Sequence, residues 1–262
     1  FFLRESRLRG NDGIEERMSN SVLILGATSA IARATAGAFA ARGHAIYLAS
    51  RDEDELRRIA ADIHLRYGVE VRHGSFDAEA TETHGAFLQS VINEMKGLSG
   101  VVLAFGYLGD QSAARDFSVG AKVIASNFTG AASILSHCAN YFEPLQRGFI
   151  IGISSVAGDR GRQSNYVYGA AKGALSLYLQ GLRNRLYASG VRVITVKPGF
   201  VDTAMTYGLP GLFLVASPQS IGERIARAPG KSADVLYLPW FWRYIMLIIK
   251  HIPEPIFKRL KL

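Results

Sequence analysis

SVLILGATSAIARATAGAFA, residues 21–40, decides the architecture. Ser21–Leu25 is a short run, apolar from Val22 on, of the kind that lies buried on both faces of a parallel sheet. Gly26 permits a tight turn, and the stretch from Ala30 to Arg42 reads as a helix. The junction LGATSAIA, Leu25–Ala32, therefore sets the amides of a helix N-terminus beside a strand end, where the helix dipole favours a pyrophosphate. A strict GxGxxG is absent, because Ala30 and Ala32 stand where such a loop more often carries glycine.

The same alternation recurs downstream. Ala45–Ala49, Val69–His73, Gly100–Ala104, Phe149–Ile153, Val191–Val196 and Val235–Leu238 read as buried strands. Glu53–Tyr67, Glu79–Met95, Ala113–Phe142, Tyr168–Ala188 and Gln219–Ala226 read as the intervening helices. This ladder predicts an α/β fold: one doubly wound Rossmann-type domain over residues 18–238, with a parallel seven-stranded sheet flanked by helices. Residues 1–17 read as a leader or an added remnant, and 239–262 as an apolar and basic C-terminal extension. In such a sheet, ligand groups gather at the carboxyl ends of the strands.

With 48% hydrophobic and 20% charged residues among 262, the chain can build a core, which excludes disorder. A single cysteine, Cys138, excludes an internal disulfide and a multi-cysteine cluster, and reads as a small buried hydrophobe. The six histidines lack metal-ligand spacing, so no metal is expected. Half of the formal charge of +8 lies from Lys231 onward, so the excess points to a basic tail and no nucleic-acid partner is expected. Val123–Phe142 and Thr203–Gly222 lack formal charge but carry polar or Gly and Pro residues unlike a spanning helix. The body of the protein is expected in the cytoplasm.

At the end of the second strand, where preference for NAD calls for an acid, stand Ser50 and Arg51; an arginine there suits a 2′-phosphate and argues for NADP(H). After the fifth strand come SSVAG, Ser154–Gly158, and YGAAK, Tyr168–Lys172. Tyr168 and Lys172 are four residues apart and share a helix face. A phenol titrates near ~10, and a neighbouring ammonium stabilises its phenolate, so Tyr168 reads as a proton donor to a carbonyl oxygen that Ser155 holds. Tyr166 competes with Tyr168, but only Tyr168 has a lysine at the fourth following residue. Ser154 competes with Ser155.

With these residues the sequence resembles the short-chain dehydrogenase/reductase family over Ser21–Leu238. The shared pattern is Tyr168 and Lys172, a serine thirteen residues before the tyrosine, Asn127 in SNFTG, Asp77 after the third strand, and PGFVDT at Pro198–Thr203. The resemblance selects Ser155 over Ser154. It implies that Tyr168 is the general acid/base, that Lys172 lowers its pKa and binds the nicotinamide ribose, that Ser155 orients the carbonyl, and that Asn127 maintains a proton relay. It implies a cofactor over Gly26, Thr28, Ser29 and Ile31, with Arg51 near the 2′-phosphate and Asp77 near the adenine. Gly106, Pro198, Gly199, Val201 and Thr203 complete the cofactor set. The phosphate-loop alanines and the sequence AFGY, Ala104–Tyr107, depart from the family pattern.

LPWFWRYIMLIIKHIPEPIFKRLKL, Leu238–Leu262, mixes aromatic, aliphatic and basic residues as an interfacial membrane anchor does; a subunit contact or simple core is the blander reading. LPGLFLV, Leu209–Val215, reads as an apolar lid, so the expected substrate is a hydrophobic or lipid-linked carbonyl compound. The tail and loop together resemble reductases of polyprenylphosphoryl keto-pentoses. The expected function is carbonyl reduction by NADPH in a homo-oligomer. The competing function is a non-catalytic NADP-binding sensor or scaffold at a membrane surface.

Overall fold

A computed structural model describes residues 20–110, 116–204 and 214–260. The proposed leader at 1–17 and most of the expected lid lie outside the described residues. Seven parallel strands run in the order β3-β2-β1-β4-β5-β6-β7. They are β1 Ser21–Leu25, β2 Ala45–Ser50, β3 Val71–Ser75, β4 Gly100–Leu103, β5 Phe149–Ile153, β6 Arg192–Pro198 and β7 Val235–Leu238. The helices are α1 Ala30–Ala40, α2 Glu53–Tyr67, α3 His84–Met95, α4 Phe117–Ile124, α5 Gly130–Leu145, α6 Tyr166–Leu186, α7 Pro218–Ala226, α8 Trp242–His251 and α9 Glu254–Phe257.

Successive side chains of β1 point to opposite faces. Val22 and Ile24 enter a core with α1, α2 and α7, including Phe39, Ile59 and Ile225. Leu23 and Leu25 enter the other core with α3, α5 and α6, including Val91, Leu135 and Leu179. Both faces of β1 are buried, which is why the strand is apolar from Val22 to Leu25. Strand order reverses between β1 and β4, so a crevice opens there at the carboxyl edge.

Three expectations are corrected. The third strand starts two residues later than Val69, paired through Ile46 and Val71, and it is an edge strand of mixed exposure. The helix expected from Glu79 begins at His84, because the Asp77 carboxylate accepts from Glu79 N and a tight turn fills Thr81–Thr83. The helix expected over 113–142 is split into α4 and α5 by a π turn, Ala125–Thr129. Gly130 follows that turn so close to Ala78 O that a β-carbon would overlap it. Among the described residues no helix is long and apolar enough to cross a membrane. Cys138 is fully buried, and burial pushes its thiol up to about 12.

Candidate active site

A cleft of about 630 Å³ opens at the carboxyl edge, within the range of cofactor-sized sites. Its phosphate end is built by the β1–α1 turn. Gly26 sits at φ +80°, and a β-carbon there would lie 2.6 Å from Phe105 N, so only glycine fits. Ser29 caps α1, its Oγ accepting from Ala32 N at 3.2 Å. Thr28, Ser29 and Ile31 line the cleft at this end. The two family departures separate here: Ala30 lines the cleft, whereas Ala32 is fully buried in the core.

Arg51 and Asp77 also line this half. Asp52, beside Arg51, caps α2 by accepting from Glu55 N at 3.0 Å. Arg33 is a lining residue that the sequence reading missed. It lies four residues after Ser29, the spacing that returns a helical side chain to the same face, and that signal could have found it. Its Nε donates to Thr28 O at 3.1 Å, and its guanidinium pairs with Glu55.

The other half gathers Ser155, Tyr168 and Lys172 on one wall. Ser155 stands just beyond β5, and its Oγ accepts from Ala157 N, capping the turn Val156–Asp159. Tyr168 and Lys172 lie in the first two turns of α6 and are both buried. The hydroxyls of Tyr168 and Ser155 are hydrogen-bonded to each other. Burial pushes the Tyr168 phenol up to about 12, and the Ser155 hydrogen bond works against that rise. Burial likewise draws Lys172 down to about 8. The Lys172 ammonium lies 5.9 Å from the Tyr168 ring centroid and donates to Ile153 O at 3.1 Å.

Asn127 stands behind this wall, fully buried in the π turn. Its Nδ2 donates to Tyr107 O at 2.6 Å and to Val123 O at 2.8 Å, while its Oδ1 accepts from Tyr107 N at 3.2 Å. These bonds fix the loop that carries Gly106. A β-carbon on Gly106 would lie 2.9 Å from Asn127 Oδ1 and 3.1 Å from Lys172 Nζ, which explains the one glycine kept in AFGY. The competitors are otherwise engaged. Ser154 Oγ donates to Lys172 O at 2.8 Å, and Tyr166 is exposed on the outer side of α6.

Pro198, Gly199, Val201 and Thr203 close the cleft beyond β6. Val201 pairs with Ala216, and the Phe200 ring packs edge-on against Trp242 at 5.4 Å. The C-terminal extension thus lies directly under the loop. Arg160, five residues after Ser155, donates to Ile249 O, Lys250 O and Ile252 O, pairs with Glu254 and covers the Phe257 ring. Among the described residues, no three of His, Cys, Asp or Glu are grouped to hold a metal.

The comparisons with known proteins bear on the family and the fold. The chain is 33% identical over 240 residues to an uncharacterized oxidoreductase of Mycobacterium tuberculosis, covering 91% of this chain and 96% of that one. It shares the fold of NAD+-bound xylitol dehydrogenase, with a TM-score of 0.76, 20% identity, and coverage of 85% of this chain and 99% of that one. It likewise shares the fold of an actinorhodin polyketide ketoreductase with NADPH, with a TM-score of 0.76, 21% identity, and coverage of 84% and 95%. Residues 20–210 match the family model described as short chain dehydrogenase. With the seven-stranded parallel sheet and this match across most of its length, the chain belongs to the short-chain dehydrogenase family.

Proposed function

We propose that the chain is an oxidoreductase that interconverts a carbonyl and an alcohol with NADP(H), using Tyr168 as its general acid/base. The observation that carries this reading is the hydrogen-bonded pair of Tyr168 and Ser155 on the cleft wall, one helical turn from the buried Lys172. The residues of the other half fit a dinucleotide: Gly26 keeps the turn tight, the first turn of α1 faces the cleft, and Gly106 admits close approach. Arg51 and Arg33 at the far end favour a 2′-phosphate, since the neighbouring Asp52 is spent on capping α2. When bound, the nicotinamide supplies the hydride for reduction or accepts it for oxidation.

The chain's own part is to hold and protonate an oxygen. Ser155 and Tyr168 converge, so a carbonyl oxygen between them accepts two hydrogen bonds, and charge that develops on it is met by fixed donors. Tyr168 Oη gives up its proton as the alcohol forms. Because burial holds that phenol near 12, it stays protonated at neutral pH and is ready for the reductive direction. Lys172 Nζ, anchored on Ile153 O, is positioned to hold the cofactor ribose, and Asn127 fixes the Gly106–Tyr107 loop opposite.

Phe105, Tyr107, Ile153 and Ala204 give the cleft an apolar cast. This supports a hydrophobic carbonyl substrate, of which a lipid-linked one, and at its narrowest a polyprenylphosphoryl keto-pentose, is the more specific form. The reading includes a cytoplasmic location, supported by the single buried cysteine. The deciding experiment is Tyr168→Phe, with NADPH binding measured by fluorescence and turnover by NADPH absorbance on a panel of hydrophobic ketones. Binding should survive while turnover falls about 10²–10⁴-fold. Equal turnover in the variant refutes the assignment.

A further inference from the structure

We propose that the outer face of α8 is a docking surface for an anionic lipid bilayer. The helix is two-faced. Trp242 and Met246 point inward and pack with Val156. Tyr244, Leu247 and Ile248 point outward and are more than half exposed, with Trp240 exposed just ahead of the helix. Ile256 in α9 and Leu260 just after it continue the exposed apolar surface. Four cations, Arg243, Lys250, Lys258 and Arg259, are exposed among these residues. Glu254, the one carboxylate after Asp234 in the sequence, is paired with Arg160.

The charge pattern selects the occupant. Arg243 and Lys250 are two helical turns apart and so lie on one flank of the apolar stripe, where long basic side chains reach headgroups while the stripe enters the acyl boundary. Trp240 and Tyr244, edge to face at 5.9 Å, are the residue types that sit at that level. A second copy of this chain is the poorer partner, because a two-fold contact sets a patch against itself and would bring these cations together. The stripe is also held outward. Arg160 ties the C-terminal end of α8 to the segment after Ser155, so docking requires no unfolding of the tail.

The chain has two tryptophans, Trp242 buried in α8 and Trp240 exposed just ahead of it, and that makes the test direct. The full chain is mixed with vesicles of phosphatidylcholine alone or of phosphatidylcholine and phosphatidylglycerol in equal parts, and co-sedimentation and tryptophan emission are recorded. Co-sedimentation with the anionic vesicles and a blue shift are expected. The shift should vanish in Trp240→Phe, which leaves only the buried Trp242. Lys250→Gln and Arg259→Gln should each weaken partition about fivefold, and Leu247→Glu with Ile248→Glu should abolish it, with the thermal midpoint unchanged in all of them. Absence of sedimentation with anionic vesicles overturns the proposal. So does a blue shift that persists in Trp240→Phe, or a dimer in solution that Leu247→Glu with Ile248→Glu dissolves. None of these readouts uses turnover, so the result stands apart from the proposed reaction.

Discussion

Gly199 rests on the indole of Trp242: a β-carbon at 199 would overlap the ring. A lining residue of the cleft is thereby seated on the C-terminal extension. Trp242 is 2% exposed and packs with Val156 and Met246.

Gly199→Ala should therefore cost about 1–3 kcal/mol of stability by overpacking, and it should raise the KM for the dinucleotide by moving the Pro198–Thr203 loop. Trp242→Leu alone should also destabilise by leaving a cavity. In the double variant the two costs should fall short of their sum, because the smaller residue relieves the clash. Thermal unfolding of the four proteins reads the coupling, and strict additivity would sever the link.

Lys172 imposes a pH dependence on stability. Its folded value, about 8, lies below the ordinary 10.5, so burial penalises the charged form and the unfolded chain binds more protons between those values. The penalty is fully present below about pH 8 and is relieved as pH rises toward 10.5. Relative to Lys172→Met, wild type should gain about 1–2 kcal/mol between pH 8 and 9.5. Urea unfolding of both proteins at those two pH values measures the gain, and parallel curves would count against the burial of a titrating lysine.

The two arginines at the far end of the cleft should divide the coenzymes. Arg51→Ala should weaken NADPH about 10–100-fold, the worth of a lost charge-assisted contact, and leave NADH within about twofold. Arg33→Ala should act in the same direction but more weakly, since Glu55 already engages its guanidinium. Equilibrium binding of both coenzymes to each variant decides the matter, and equal losses for NADPH and NADH would refute it.

Arg160 should govern the order of the tail. Its loss removes a charged donor from three carbonyls near the end of α8, of which Ile249 O keeps only its bond from Ile252 N. In Arg160→Ala, amide exchange over residues 242–257 should quicken about tenfold or more, while β1 and β4 exchange as in the parent. Hydrogen exchange read by mass spectrometry separates this local loosening from global destabilisation.

Much of this could be read from the chain because it rests on local periodicity. The unbroken apolar run of β1 reports burial on both faces, and the interval from Tyr168 to Lys172 reports a shared helix face. What escaped depends on distant partners. β3 was displaced because an edge strand, exposed at Arg72, has no continuous apolar run to mark its start. The break at Ala125–Thr129 was hidden because an uncharged apolar stretch reads as one helix. Its structural surroundings, Ala78 O against Gly130 and Tyr107 around Asn127, come from other segments. In the tail, composition suggested an amphipathic element, but only packing divides Trp242, turned inward, from Trp240, turned outward.

The π turn also restricts how this protein can change in length. Neighbouring helical positions differ by about 100° around the axis, so losing a single residue between Val123 and Gly130 would rotate the Asn127 amide away from Tyr107 or carry Gly130 off Ala78. The two anchors cannot both survive such a deletion. In this segment the number of residues is as constrained as their identity, and a substitution elsewhere in the turn is more readily absorbed than a gap.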